Sequence, residues 1–366
     1  MPIHIGVIGC GIISGIYLQN LKQFAHVAVT ACADLDLSRA EARASEYGVP
    51  LACAVDELLA DPGVDLVVNL TVPQAHAALN LAAVNAGKHI YSEKPLTMNR
   101  ADGQQLLAAA QAKGVRVSCA PETFLGAGLQ TCRALIDGGA IGTVVGATAF
   151  MGSSGPEGWH PDPDFFFQPG AGPLFDMGPY YLTALVHLLG SIGRVSGSAR
   201  ITRAERLISS QPRAGSVITV NTPTHVAAVL DFVDGPIATL VTSFDIVANT
   251  VPPIEIYGTG GTLTVPDPNT FGGTVKLRQT GEKEWQAMPL THANAANSRG
   301  LGVADLARAV QTGRPHRASG ELAYHVVDVM QAMLDTAVLD RSIHIASTCE
   351  RPAPLPAGLA DWELDD

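Results

Sequence analysis

The sequence predicts an α/β protein in two parts, a doubly wound parallel sheet over residues 1–121 and an α+β domain with a largely antiparallel sheet over 122–366. Three observations carry this. Over the first 120 or so residues, short apolar runs alternate with helix-like segments, the pattern of repeated βα units. Beyond that point the apolar runs are joined by tight turns instead. The length, 366 residues that are 47% hydrophobic and 16% charged, allows about two domains with their own cores and excludes a largely disordered chain.

In the first part, "HIGVIG", "VAVTACAD", "DLVVNLT", "KHIYSEK" and "RVSCAP" read as buried strands, with helices near 12–24, 38–47, 75–87 and 100–113 between them. A helix near 126–138 opens the second part, followed by "TVVGATAFMG" and a Pro-rich stretch over 156–173. The next helix is expected to start near Asp176: Leu182, Leu185, Val186 and Leu189 recur at helical spacing, Gly190 ends it, and Pro179 fits its first turn. Asp176, Tyr180, Thr183 and His187 would then form one polar stripe on an apolar helix, which calls for partners or a ligand. "HVAAVLDFVDGPIATLVTSFDIV", "IEIYGTGGTLTV" and "TVKLRQTGEKEWQAM" read as strands turning at Asp234-Gly235, Gly260-Gly261 and Thr280-Gly281. Helices near 301–312 and 320–340 precede a Pro-rich tail, and no internal repeat is visible.

No apolar run approaches the roughly 18 residues of a membrane span, and "MPIHIGVIGCG" reads directly as a strand, so a cytoplasmic protein with no membrane partner is expected. The six cysteines lack metal-like spacing and read as free, buried thiols; no metal is expected. A net charge of −11 offers no footprint for nucleic acid. A small molecule is the default partner.

"VIGCGIISG" follows the first strand and opens a helix, the context in which a glycine motif carries meaning as the dinucleotide turn of a Rossmann domain. Gly9 allows the tight turn, Gly11 admits a pyrophosphate, and Ile12 and Ile13 lead into the helix N-terminus, whose dipole favours that anion. Ser14 stands at the third position, small enough for close packing, with Gly15 after it. Asp34, about 20 residues on at the end of the second strand, would accept the ribose hydroxyls of NAD. Asp36 would repel a 2′-phosphate, which favours NAD over NADP, while Ser38 and Arg39 leave a case for NADP.

"AGKHIYSEKPLT", with "VIGCGIISG", "TVPQAH" and the stretch around Asp176, resembles the glucose-fructose oxidoreductase / inositol dehydrogenase (Gfo/Idh/MocA) family of nicotinamide-dependent sugar and polyol oxidoreductases. The resemblance covers nearly the whole chain, and Glu93-Lys94-Pro95 is its most specific motif. A strand's carboxyl end is where open α/β sheets bind ligands, and Pro95 biases the preceding Lys94 toward extended backbone. The resemblance implies that Lys94 lies beside the nicotinamide and the reacting hydroxyl. It also matches Thr71, Pro73 and His76 to a loop after the third parallel strand that packs on the dinucleotide, although His76 could equally cap or pack its helix. The family's D-x-G-x-H motif falls on Asp176 to Tyr180, with Tyr in place of His. Some branches share that departure. A homodimer or homotetramer assembled through the second sheet is implied as well.

Alcohol oxidation needs a base for the hydroxyl proton while hydride leaves for the cofactor. Tyrosine ordinarily titrates near 10, and a neighbouring ammonium lowers that value, so Lys94 and Tyr180 are expected to act as a pair, with Asp176 holding the sugar hydroxyl or orienting Lys94. His187, seven residues further on, rises about 10 Å from Tyr180 and cannot substitute for it. Trp159 and His160 suit sugar stacking, or Trp159 simply anchors its loop; Glu122 and Thr123 are further substrate candidates. His316 and Arg317 lie in a polar loop open to substrate, domain-contact or capping roles. The reading is an NAD-dependent sugar or polyol dehydrogenase. Its rivals are a redox-elimination lyase or glycosidase that recycles tightly bound NAD, and a nicotinamide-binding sensor without turnover.

Overall fold

The structure, a computed structural model, describes residues 1–366. The chain folds into two compact units, one of Met1–Gln130, Thr291–Tyr324 and Pro352–Asp366, the other of Thr131–Leu290 and His325–Arg351. Set beside the expected cut at 121/122, the first compact unit runs on to Gln130 and takes in two later segments. The sequence could not show this, because helix 301–312 and the tail carry no pattern that says which sheet they cover.

The first unit is built on β1 (Ile3–Ile8), β2 (Val27–Ala33), β3 (Leu51–Cys53), β4 (Leu66–Asn69), β5 (His89–Ser92) and β6 (Val117–Cys119). All pair in parallel, in the order β3-β2-β1-β4-β5-β6. That is the doubly wound order, whose switch point lies between β1 and β4. The intervening helices are α1 (Ser14–Leu21), α2 (Leu37–Tyr47), α3 (Val55–Ala60), α4 (Pro73–Asn85) and α5 (Arg100–Lys113). β3 and α3 were not expected: three residues at a sheet edge, beginning with the exposed Leu51, are too short for a period to show. In consequence the loop at 71–76 follows the fourth parallel strand, not the third.

The second unit holds β7 (Val144–Gly152), α7 (Gly172–Leu189), β8 (Ile192–Arg200), β9 (Glu205–Leu207), β10 (Val217–Thr219), β11 (His225–Phe232), β12 (Ile237–Ser243), β13 (Ile254–Gly258), β14 (Gly261–Val265), β15 (Val275–Gln279), β16 (Gln286–Met288) and β17 (Ile343–His344). Nine strands form one sheet in the order β16-β15-β14-β13-β7-β12-β11-β8-β17, antiparallel except for the β7–β12 pair. β9 and β10 make a separate ribbon. β8 escaped the sequence reading because Gly193, Ser196, Gly197 and Ser198 dilute its apolar alternation. Two helices, α6 (Ala127–Asp137) and α9 (Gly320–Leu339), run across the unit boundaries, and α8 (Leu301–Thr312) belongs to the first unit.

α9 is long and apolar enough to cross a membrane by length and composition, although Glu321, His325 and Asp328 interrupt its apolar run. Just over half of that stretch is buried, as in a core helix. All six cysteines are free thiols, and only Cys349 is not buried.

Candidate functional site

The sequence folds the carboxyl ends of β1, β2, β4 and β5 into one crevice within the first unit. Gly9 has φ +98°, and a Cβ there would lie 2.8 Å from the backbone of Leu70, so only glycine fits. At Gly11 a Cβ would meet nothing within 4 Å. This open cradle is the shape a pyrophosphate needs. Ser14 is fully buried and its hydroxyl donates to the Gly11 carbonyl at 2.7 Å, closing the turn in place of the third glycine. Asp34 accepts from the Cys10 N–H at 2.8 Å and the Asp36 N–H at 3.0 Å, so it anchors the glycine turn and keeps lone pairs for further donors.

Ile12, Leu35 and Val72, on the loops after β1, β2 and β4, are 90%, 100% and 62% exposed. Three large apolar side chains around one crevice are what a flat, partly apolar ligand would cover. Asp36 caps α2 and bonds Ser38 through both its N–H and its hydroxyl, and it pairs with Arg39. The two groups that left a case for NADP are thus already engaged by a carboxylate. Arg43, which the sequence reading missed, donates to the Gly11 carbonyl at 3.2 Å. No motif announces it; it reaches the turn only because α2 packs beside α1.

The second wall comes from β4 and β5. Glu93 and Lys94 are half-buried at the end of β5, and the Lys94–Pro95 peptide is cis. One Glu93 oxygen accepts from the Lys94 N–H at 2.9 Å and the other from the Tyr17 hydroxyl at 2.8 Å. A buried polar network joins the two loops: Asn69 accepts from the Thr71 N–H and hydroxyl and donates to Asn80, which donates to Ser92. His76 is fully buried between the Thr71 and Pro95 carbonyls. Burial pushes its pKa down, against the pull of those carbonyls and of Glu93.

Glu122 and Thr123 do not face solvent: they are 1% and 2% exposed. Glu122 accepts from the Tyr91 and Tyr17 hydroxyls and from the Gly300 N–H at 2.7 Å, and burial raises its pKa. Both oxygens are engaged inside the first unit, which fits an anchor for the 298–301 turn better than a substrate contact. Arg317 likewise bonds Asp305, Asp365 and the carbonyls of Ala353 and Pro354, clamping the tail, and His316 bonds the Val117 carbonyl.

In the second unit α7 carries Asp176 and Tyr180. It starts at Gly172, not near Asp176, and Pro173 occupies its first turn while Pro179 lies in its interior. The reason is Gly172: with φ +78° it turns the chain into the helix where a Cβ would lie 2.8 Å from the Pro223 carbonyl. Pro179, lacking an N–H, cannot bond the Phe175 carbonyl one turn back. The polar stripe sinks along the helix: Asp176 is half-buried, and Tyr180, Thr183 and His187 are buried. His187 offers its carbonyl to Arg133 and Arg351, which cap the helix C-terminus.

Trp159 is 68% exposed and stacks edge-on with His160 and Phe166. Its loop is pinned to the β9–β10 ribbon. Arg206, buried, pairs with Glu157 and Asp245 at 2.5 Å each, Arg213 pairs with Asp162 and Asp164, and Ser210 donates to the His160 carbonyl. Phe166 and Phe167 pack with Ile208, Ile218, Val220 and Phe244 beneath it. Trp159 is therefore not the packing anchor; the phenylalanines are. No cluster of His, Cys, Asp and Glu side chains is arranged to hold a metal ion.

Residues 3–120 match the family described as "Oxidoreductase family, NAD-binding Rossmann fold", and residues 129–264 match the GFO/IDH/MocA C-terminal domain. Inositol 2-dehydrogenase of Salmonella typhimurium is 32% identical over 120 residues, 32% of this chain and 36% of that enzyme. The dTDP-3,4-didehydro-2,6-dideoxy-alpha-D-glucose 3-reductase of Streptomyces violaceoruber is 34% identical over 203 residues, 54% of this chain and 57% of that enzyme. The chain thus matches little more than a third to rather more than half of these relatives' length. A solved levoglucosan dehydrogenase in complex with NADH shares the fold, with a TM-score of 0.81 and 18% identity over 95% of this chain and 100% of that one. With both its domains matched, this chain belongs to the Gfo/Idh/MocA oxidoreductase family, and its first part is that family's NAD-binding Rossmann domain.

Proposed function

We propose that the protein is an NAD-dependent dehydrogenase acting on a CH–OH carbon of a sugar, polyol or glycoside. The observation that carries the reading is the setting of Lys94: half-buried, on a turn tied by His76 and the Asn69–Asn80–Ser92 network to the loop that walls the dinucleotide crevice. The relatives named for inositol, a dideoxy sugar and levoglucosan support the substrate class.

NAD, when bound, accepts the hydride. Gly9, Gly11, Ile12 and Ile13 would border its pyrophosphate, Asp34 would accept from its ribose, and Thr71, Pro73, Glu93 and Pro95 would shape the wall beside Lys94. Asp36, by neutralising Arg39 and occupying Ser38, supports NAD over NADP. The substrate hydroxyl would donate its proton toward Tyr180, with Lys94 favouring the phenolate and Asp176 accepting a second hydroxyl. Trp159 and His160 would stack on the ring. We further propose a cytoplasmic homodimer or homotetramer joined through the nine-stranded sheet, where Val145, Ile237 and Val229 are exposed on the neighbouring strands β7, β12 and β11.

The test is a panel of sugars, polyols and glycosides with NAD and NADP separately. Accumulating NADH supports the dehydrogenase; substrate loss without NADH supports the elimination enzyme; nicotinamide binding with no conversion of any kind supports the sensor.

A further inference from the structure

His76 has two acceptors and no donor. Its Nδ1 lies 2.7 Å from the Pro95 carbonyl oxygen and its Nε2 lies 3.0 Å from the Thr71 carbonyl oxygen, with the ring fully buried. A carbonyl oxygen only accepts. A neutral imidazole has one N–H, so it would satisfy one carbonyl and press a lone pair against the other. The imidazolium has two, and satisfies both. The neighbouring amides cannot relieve the conflict, because Asn69 donates to Asn80, and Asn80 donates to Ser92 and the Leu96 carbonyl.

We propose that His76 is held as the imidazolium, a cationic strut that donates to the Thr71 and Pro95 carbonyls and acts as a positioning residue for Lys94. The strut fixes the turn carrying Lys94 against the dinucleotide loop, and its charge adds to that of the Lys94 ammonium in favouring the phenolate. Burial, the largest influence, and Lys94 lower the His76 pKa, while the Pro95 and Thr71 carbonyls and Glu93 raise it; the case for the cation is the geometry, since only two N–H donors satisfy both carbonyls. α4 carries no other titratable side chain, and those of α5, Arg100, Asp102 and Lys113, sit at its ends. The part of this inference that concerns Lys94 rests on the proposed dehydrogenase reading; the charge state of His76 does not.

The experiment is long-range proton–nitrogen correlation NMR on the full chain labelled with ¹⁵N-histidine, without substrate, with His76 identified by its loss in His76→Gln. The strut predicts two protonated ring nitrogens at about pH 7. One protonated and one bare nitrogen at that pH overturns it, whether or not the protein proves to be a dehydrogenase. With a substrate in hand, His76→Gln should move the rising limb of kcat/KM upward by about one pH unit. A variant with lower activity and an unmoved limb reduces His76 to packing and contradicts the link to Lys94. If neither variant nor wild type oxidises any substrate, the dehydrogenase reading fails and the NMR result stands by itself.

Discussion

Tyr180 and Tyr181 are adjacent and buried on α7. Burial and the nearby Asp267 push the Tyr181 pKa up, away from the phenolate a base requires. Tyr180 is the residue at the motif position. Tyr180→Phe should lower kcat by about 10²- to 10⁴-fold with KM little changed, whereas Tyr181→Phe should leave kcat nearly intact; steady-state kinetics of the two variants decide this. Asp34 permits a second residue-scale prediction. Its carboxylate already orders the glycine turn through the Cys10 N–H, so Asp34→Ala should raise KM for NAD about ten- to a hundredfold while kcat changes little. An unchanged KM would remove Asp34 from the ribose site.

At the scale of elements, Gly172 and Arg206 place the second unit's candidates. Gly172→Ala forces a Cβ onto a φ of +78° and against the Pro223 carbonyl, and should cost about 1–3 kcal/mol in urea unfolding. Arg206→Met leaves Glu157 and Asp245 buried without their partner and should cost about 3–5 kcal/mol, loosening the loop of Trp159. The elements that were legible in the sequence had a strong local pattern: α5 at 100–113, α8 at 301–312, and the hairpin turn at Gly235, whose φ is +106°. Those that were not owe their form to distant partners. The start of α7 is set by Gly172 meeting Pro223, and the role of Arg206 by carboxylates 49 and 39 residues away in sequence. In the site, Gly9, Asp34 and Lys94 could be named because a local motif fixes their place on a βα turn. Arg43 and the Asn69–Asn80–Ser92 network could not, since Asn and Arg on a helix are ordinary until the fold shows what they reach.

At the scale of the molecule, stability should depend on pH through His325. It is fully buried, its Nε2 accepts from the Ile192 N–H, and burial lowers its pKa to about 4. The folded state therefore keeps His325 neutral above about pH 4, while the unfolded chain takes up a proton below about 6.5. Stability from this group is full above 6.5 and falls on acidification to 4, by about 3 kcal/mol in all. His325→Gln should flatten that part of the curve in denaturant melts taken across this range. An equally steep fall in the variant would assign the dependence elsewhere.

On the proposed dehydrogenase reading, turnover needs both Lys94 and Tyr180. The most direct measurement is NADH formation by the purified protein with NAD and a panel of sugars, polyols and glycosides, run beside Lys94→Met and Tyr180→Phe. A dehydrogenase yields NADH from at least one of these substrates and nearly loses it in both variants. NAD binding without NADH from any of them, or full turnover in the Lys94→Met variant, would contradict that reading.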